Sequence, residues 1–177
     1  MIVAFFGYPG AGKSTLVARF ALLTGAVGID TDRFMTDDER AAVVEGRYTA
    51  EMRHANIRRY CAHLRETVRP GGHAALADGL PTNAARRLLL AELGAERVRL
   101  VLVRTEPALW AGRLAARAEN PVAVGVAEAA AYVREHWEPI DPALPCETID
   151  NVENLAVVDA ALVALFARAA GQPIARG

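Results

Sequence analysis

Lysine and serine are almost missing from these 177 residues: one of each occurs, and they are neighbours, Lys13 and Ser14. The other 19 of the 20 basic side chains are arginine. A surplus of alanine and arginine reads as a coding bias, which accounts for the scarcity of lysine but not for where the one lysine sits. Other scarcities exclude whole classes of protein. The two cysteines, Cys61 and Cys146, lie far apart without a CxxC pair, so neither a disulfide framework nor a zinc site is supported. His54, His63, His73 and His136 show no HxxxH or HExxH spacing. With a net charge of −1 and a pI near 6.4 the chain carries no electrostatic footprint for a long polyanion. No apolar run reaches the roughly 20 residues that cross a bilayer. The opening MIVAFF stops at Gly7 without a basic lead, and it reads as a strand rather than a signal peptide. These absences lead us to expect a soluble cytoplasmic protein of one domain over residues 1–177, monomer or homodimer, with no membrane and no stable nucleic-acid partner.

What is present is an alternation of strand and helix signals. Short apolar runs at residues 2–6, 26–29, 73–77 and 98–103 predict strands, and CETID at 146–150 predicts a weaker fifth. Between them, helical spacing predicts helices over 13–23, 49–68, about 83–93 and 152–170, with Gly25, Gly72 and Gly94 near helix ends. Thr82 or Asn83 is expected to cap the helix that follows strand three, and Thr105 the helix that enters at Pro107. Further helical signal runs to Trp137 after a looser region at 119–125. Five strands separated by helices imply an α/β fold with a mostly parallel sheet covered on both faces.

The lone lysine and serine now acquire a setting. GYPGAGKS, Gly7 to Ser14, satisfies GxxxxGK[ST] between a predicted strand and a predicted helix, the context that makes the pattern informative. Gly7, Gly10, Ala11, Gly12, Lys13, Ser14 and Thr15 are therefore the candidate phosphate-binding residues. Glycines let backbone N–H groups wrap a phosphate, and the helix directs its positive end at the same point. Lys13 offers a compact mobile cation to the β- and γ-phosphates, where the planar fork of arginine does not substitute, and Ser14 offers an oxygen to Mg²⁺. A dinucleotide-binding loop is disfavoured, because its third glycine would fall at Thr15.

Asp30 and Asp32 in GIDTDRF follow the second strand at the carboxyl edge of the sheet, where open α/β folds bind ligands. One can accept the proton of an attacking hydroxyl, and the other can hold Mg²⁺ through water. Asp78 ends the apolar run AALA and is a candidate for polarising metal-bound water beside the substrate. Arg113 and Arg117 stand four apart on one predicted helical face, where they can neutralise charge that develops on a triphosphate. Arg33, Arg86 and Arg87 are candidates for holding an acceptor.

Taken together, GYPGAGKST, DTDRF, GGHAALADGLPTNAARRLLL, VLVRTEPALWAGRLAAR and HWEPIDPALPCETID make the chain resemble the small P-loop kinases of the AAA_33 type. These are similar to zeta toxins, chloramphenicol phosphotransferases, gluconate and shikimate kinases and the kinase domain of polynucleotide kinases. The resemblance implies a three-layer αβα P-loop fold with a five-stranded parallel sheet of order 2-3-1-4-5 and a small helical lid at about 113–130. It implies ATP and Mg²⁺ as cofactors and transfer of the γ-phosphoryl group to the hydroxyl of a small-molecule acceptor. The general base falls on Asp32 if DTD aligns as in shikimate kinases and zeta toxins, or on Asp30 with Arg33 if the D-x-x-R form applies. The lid arginine maps to Arg113 or Arg117. GLP at 79–81 and the apolar stretch at 119–125 depart from the pattern and leave the acceptor open. A polynucleotide 5′-hydroxyl kinase and a non-kinase ATP-binding switch are the alternative readings.

Overall fold

A computed structural model describes residues 1–116 and 126–169. Five parallel strands, β1 (Ile2–Phe6), β2 (Val27–Asp30), β3 (Ala74–Asp78), β4 (Val98–Arg104) and β5 (Cys146–Asp150), form one sheet in the order 2-3-1-4-5. The described helices are α1 (Lys13–Thr24), α2 (Asp37–Val44), α3 (Ala50–Thr67), α4 (Asn83–Leu93), α5 (Pro107–Ala115), α6 (Val126–His136) and α7 (Leu155–Ala169).

Strand β1 lies in the middle of the sheet with all five residues buried, and its alternation divides the core in two. Ile2, Ala4 and Phe6 join Ile57, Tyr60 and Leu64 of α3 and Leu89 of α4 on one face. Val3 and Phe5 join Leu16 and Phe20 of α1 and Val158 and Leu162 of α7 on the other. Period-two alternation of a buried strand thus produces the three layers. Register sets the site: Phe6 of β1 pairs with Asp78 of β3, and Asp30 of β2 with Ala77, so both acids reach the edge from which the phosphate loop leaves.

Four features differ from the sequence expectations. Strand β2 is shifted by one, so Asp30 is its last residue and not the first beyond it. The polar stretch after it holds a 3₁₀ turn, Thr31–Phe34, and the helix α2, which opens with a capping box between Thr36 and Glu39. Thr105 does not cap α5: Glu106 holds the cap position without a side-chain bond, and the Thr105 hydroxyl donates to the Ala11 carbonyl instead. Helix α7 begins at Leu155, three residues later than its signal. No described helix is long and apolar enough to cross a membrane.

Candidate active site

Residues 7–14 turn from β1 into α1, and the turn needs glycine at two places. Gly10 and Gly12 have φ of 80° and 86°, and a Cβ on them would lie 2.6 Å from Leu114 Cδ2 and 2.3 Å from Asn151 Nδ2. The loop is gripped from outside by its carbonyls. Asn151 Nδ2 donates to Ala11 O at 2.7 Å, Thr105 Oγ1 to the same oxygen at 3.1 Å, and Trp110 Nε1 to Pro9 O at 2.6 Å. The Arg113 guanidinium lies at the same place, 3.5 Å from Ala11 O. Lys13 Nζ donates to Gly7 O at 3.0 Å and Tyr8 O at 2.9 Å, which folds the side chain back over the loop. With carbonyls tied outward, the loop is free to present amides inward at the first turn of α1, and Ser14 stands in that turn.

Across the sheet edge, the 3₁₀ turn after β2 is pinned on several sides. Thr31 Oγ1 donates to Ala77 O at 2.7 Å, Arg59 Nε to Phe34 O at 2.9 Å and Arg40 to Asp32 O at 3.0 Å, while Asp30 accepts from Asp32 N at 3.2 Å. Asp32 reaches solvent but is crowded by protein. Loss of surrounding water raises its pKa first, and the charges of Asp30 and Asp78 raise it further against the opposing pull of Lys13 and Arg53. Asp78 is oriented by Tyr60, whose hydroxyl donates to it at 2.8 Å, and by Leu80 N at 3.3 Å. Three acids and the phosphate-loop lysine therefore share one electrostatic neighbourhood.

The arginines distribute unequally. Arg33 is exposed on the turn beside Asp32. Arg87 forms an ion pair with Asp141. Arg86 has no exposed surface, and its guanidinium is bonded to Leu80 O, Pro81 O, Asn83 Oδ1 and Glu138 O, so none of it faces an acceptor. Arg117 and part of the expected lid, 117–125, lie outside the described residues.

Four contributors escaped sequence reasoning. Arg53 of α3 donates to Tyr132 Oη of α6 at 2.8 Å, stands 5.0 Å over the Tyr48 ring and acts electrostatically on Asp32. Its signal was available, since Arg53 lies one and two turns ahead of the buried Ile57 and Tyr60 on the stripe facing the sheet. Tyr132, Trp110 and Asn151 gave none, because their partners lie 79 to 140 residues away in the chain. Beyond β4 and β5 an open cavity of about 900 Å³ borders the outside of the phosphate loop, lined by Arg104, Glu106, Gly112, Arg113, Asn151 and Glu153.

The AAA_33 family model (AAA domain) matches residues 2–139. The chain belongs to the AAA_33 family. Solved structures similar to this AAA_33 protein share its fold at low identity. A sugar kinase from Janibacter sp. HTCC2649 matches with a TM-score of 0.78 at 19% identity over 98% of both chains. A gluconokinase from Sinorhizobium meliloti 1021 matches with 0.77 at 17% identity, over 96% of this chain and 93% of its own. A shikimate kinase from Acinetobacter baumannii, solved with shikimate, matches with a TM-score of 0.58 at 16% identity, over 94% of this chain and 91% of its own. No curated protein matches the AAA_33 chain in sequence.

Proposed function

We propose that this protein is an ATP-dependent kinase that transfers the γ-phosphoryl group to a hydroxyl of a small molecule. The observation that carries the reading is the meeting, at one edge of the sheet, of the loop that bears Lys13 with Asp30 and Asp78 at the strand ends and Asp32 on the turn after β2. The left-handed Gly10 and Gly12 and the outward-tied carbonyls suit a phosphate cradle. Ser14, Asp30 and Asp78 are oxygen donors of the hard kind Mg²⁺ takes, and they would hold it. Bound there, Mg²⁺ with ATP supplies an electrophilic phosphorus whose developing charge is neutralised.

The chain's own residues do the rest. Lys13 and the loop amides orient the phosphates, and the cavity beside Arg113 and Asn151 receives the nucleoside half. Asp32 takes the proton of the acceptor hydroxyl as its oxygen bonds to phosphorus and the bond to the ADP oxygen breaks. Arg53, half-buried and steadied by Tyr132 and Tyr48, offers a cation to the acceptor, which favours a hydroxyl compound that also carries a negative group. Arg113 brings a second cation to the loop. Monomeric or dimeric action in the cytoplasm on a small molecule, without a nucleic-acid partner, completes the reading.

The test is a panel of hydroxyl compounds, including D-gluconate and shikimate, incubated with ATP and Mg²⁺ and weighed for the gain of one phosphoryl group. Lys13→Ala should abolish the gain and weaken ATP binding. Asp32→Asn should abolish most of it with ATP affinity near wild type. Undiminished transfer by the Lys13 variant sinks the reading, and loss in Asp30→Asn alone moves the base to Asp30.

A further inference from the structure

The side chain of Arg86 is buried without a carboxylate on its guanidinium. Its five N–H donors go to Leu80 O (3.0 Å), Pro81 O (3.0 Å), Asn83 Oδ1 (2.7 Å) and Glu138 O (3.2 Å from both terminal nitrogens). The Phe6 and Trp137 rings pack against it, with centres 5.3 Å and 4.9 Å away. A planar fork is needed to reach four acceptors in four directions, and a lysine ammonium has neither the span nor the donors.

The groups it bonds belong to two separate parts of the acceptor side. Leu80 and Pro81 form the loop behind Asp78; Leu80 has φ of 42°, costly for a residue with a Cβ, and its N–H is one of the two donors that orient the Asp78 carboxylate. Trp137 and Glu138 follow α6, the helix whose Tyr132 meets Arg53. The two parts are also stitched by Glu138 N to Pro81 O at 2.9 Å and by Asn83 Oδ1, which accepts from Asp141 N at 3.1 Å as well as from Arg86.

We propose that Arg86 is a positioning residue for the acceptor side: it fixes the loop behind Asp78 and the end of α6 as one piece, and reaches the acceptor only through Asp78 and Arg53. The inference rests on the kinase reading for its effect on turnover, but not for its effect on the two segments. Its consequence is weighted to the acceptor side, because the phosphate loop's hydrogen-bonded ties to Thr105, Trp110 and Asn151 run to the opposite side of β1, while the loop meets this piece through a ring contact, Tyr8 on Trp137 with centres 4.6 Å apart.

The experiment compares wild type with Arg86→Lys, which keeps the charge and removes the fork, and with Asn83→Ala, which cuts the same staple at its partly exposed end and leaves the core intact. Hydrogen exchange in both variants should quicken about tenfold or more at the amides of Gly79, Leu80, Thr82 and Asn83 together with those of 132–138, and stay unchanged along α1. ATP affinity should remain within about twofold, and with D-gluconate as acceptor its KM should rise about tenfold or more while the KM for ATP holds. Exchange that quickens at one segment without the other, or ATP affinity that falls with acceptor KM unmoved, overturns the proposal. If wild type phosphorylates no compound, the kinase reading fails, and the exchange pattern still decides the staple.

Discussion

At Asp32 activity and stability are set against each other. Its pKa is raised in the folded protein chiefly by loss of water and then by Asp30 and Asp78, so the folded state binds that proton more tightly than the unfolded chain. The stability this confers is complete at low pH, where the group is protonated, and is lost as pH rises through the folded-state value. Asp32→Asn should therefore raise Tm at pH 7, with the gain shrinking below the ordinary carboxylate range. The same shift moves the acid limb of turnover: kcat should fall with decreasing pH at a higher value than an ordinary aspartate gives, and thermal melts with pH–rate profiles of the two proteins check both halves. Arg113 is the other residue with a graded expectation. A guanidinium engaged mainly as charge develops costs roughly 10²- to 10³-fold in turnover on truncation to alanine, with ATP affinity little changed. Its contact with the loop at Ala11 makes Arg113 the first position to measure, and Arg117 is the second.

Helix α2 shows how a neighbouring element holds the turn that carries Asp32 in place. Thr36 Oγ1 accepts from Glu39 N at 3.2 Å, Glu39 returns a bond to Thr36 N at 2.8 Å, and the same carboxylate pairs with Arg59, which also holds Phe34 O. Burial pushes the Glu39 pKa up, and the bonds from Arg59 and Thr36 outweigh it and leave it lowered. Its contribution to stability is thus present above the ordinary glutamate pKa and lost as pH falls through the lowered one. Thr36→Ala should cost about 1 kcal/mol, read as a shift of the denaturant midpoint with m unchanged. This helix was not legible in DTDRFMTDDER, where the apolar periodicity is weak; the Thr36 and Glu39 spacing was the signal to use. Strands β1, β3 and β4 were legible because buried parallel strands are continuous apolar runs, and β5 was faint because only Ile149 of its five residues is fully buried. Thr105 was misread for a physical reason too: a threonine shortly before a proline looks like a cap, and the Ala11 carbonyl on the phosphate loop took its hydroxyl. The loop and its acids lie in short contiguous motifs, whereas Arg53 with Tyr132 and Asn151 with Ala11 meet only through the sheet order.

For the whole molecule, the phosphate loop joins both halves of the sheet. Its carbonyls are tied to residues that follow β4 and β5, and its strand is flanked by β3 and β4. A ligand that fills the loop should therefore raise the stability of the whole fold, by about 2.7 kcal/mol at 100 times its Kd, which corresponds to roughly 5–10 °C in Tm for a chain of this length. ATP with Mg²⁺ should produce that shift in a thermal melt, and adenosine, which lacks phosphates, should produce little of it. Gly12→Ala separates the loop's geometry from its chemistry. The new Cβ meets a φ of 86° and Asn151 Nδ2 at 2.3 Å, so the variant should lose about 1–2 kcal/mol unliganded and also lose most of the ATP-dependent shift. Asn151→Ala removes the clash partner along with the tie to Ala11 O, and placed in the Gly12→Ala background it should restore part of the lost stability without restoring the ATP-dependent shift. A Gly12→Ala protein that melts lower yet keeps the full ATP shift would show that the loop tolerates another path, and phosphate recognition would then rest on Lys13 and the first turn of α1.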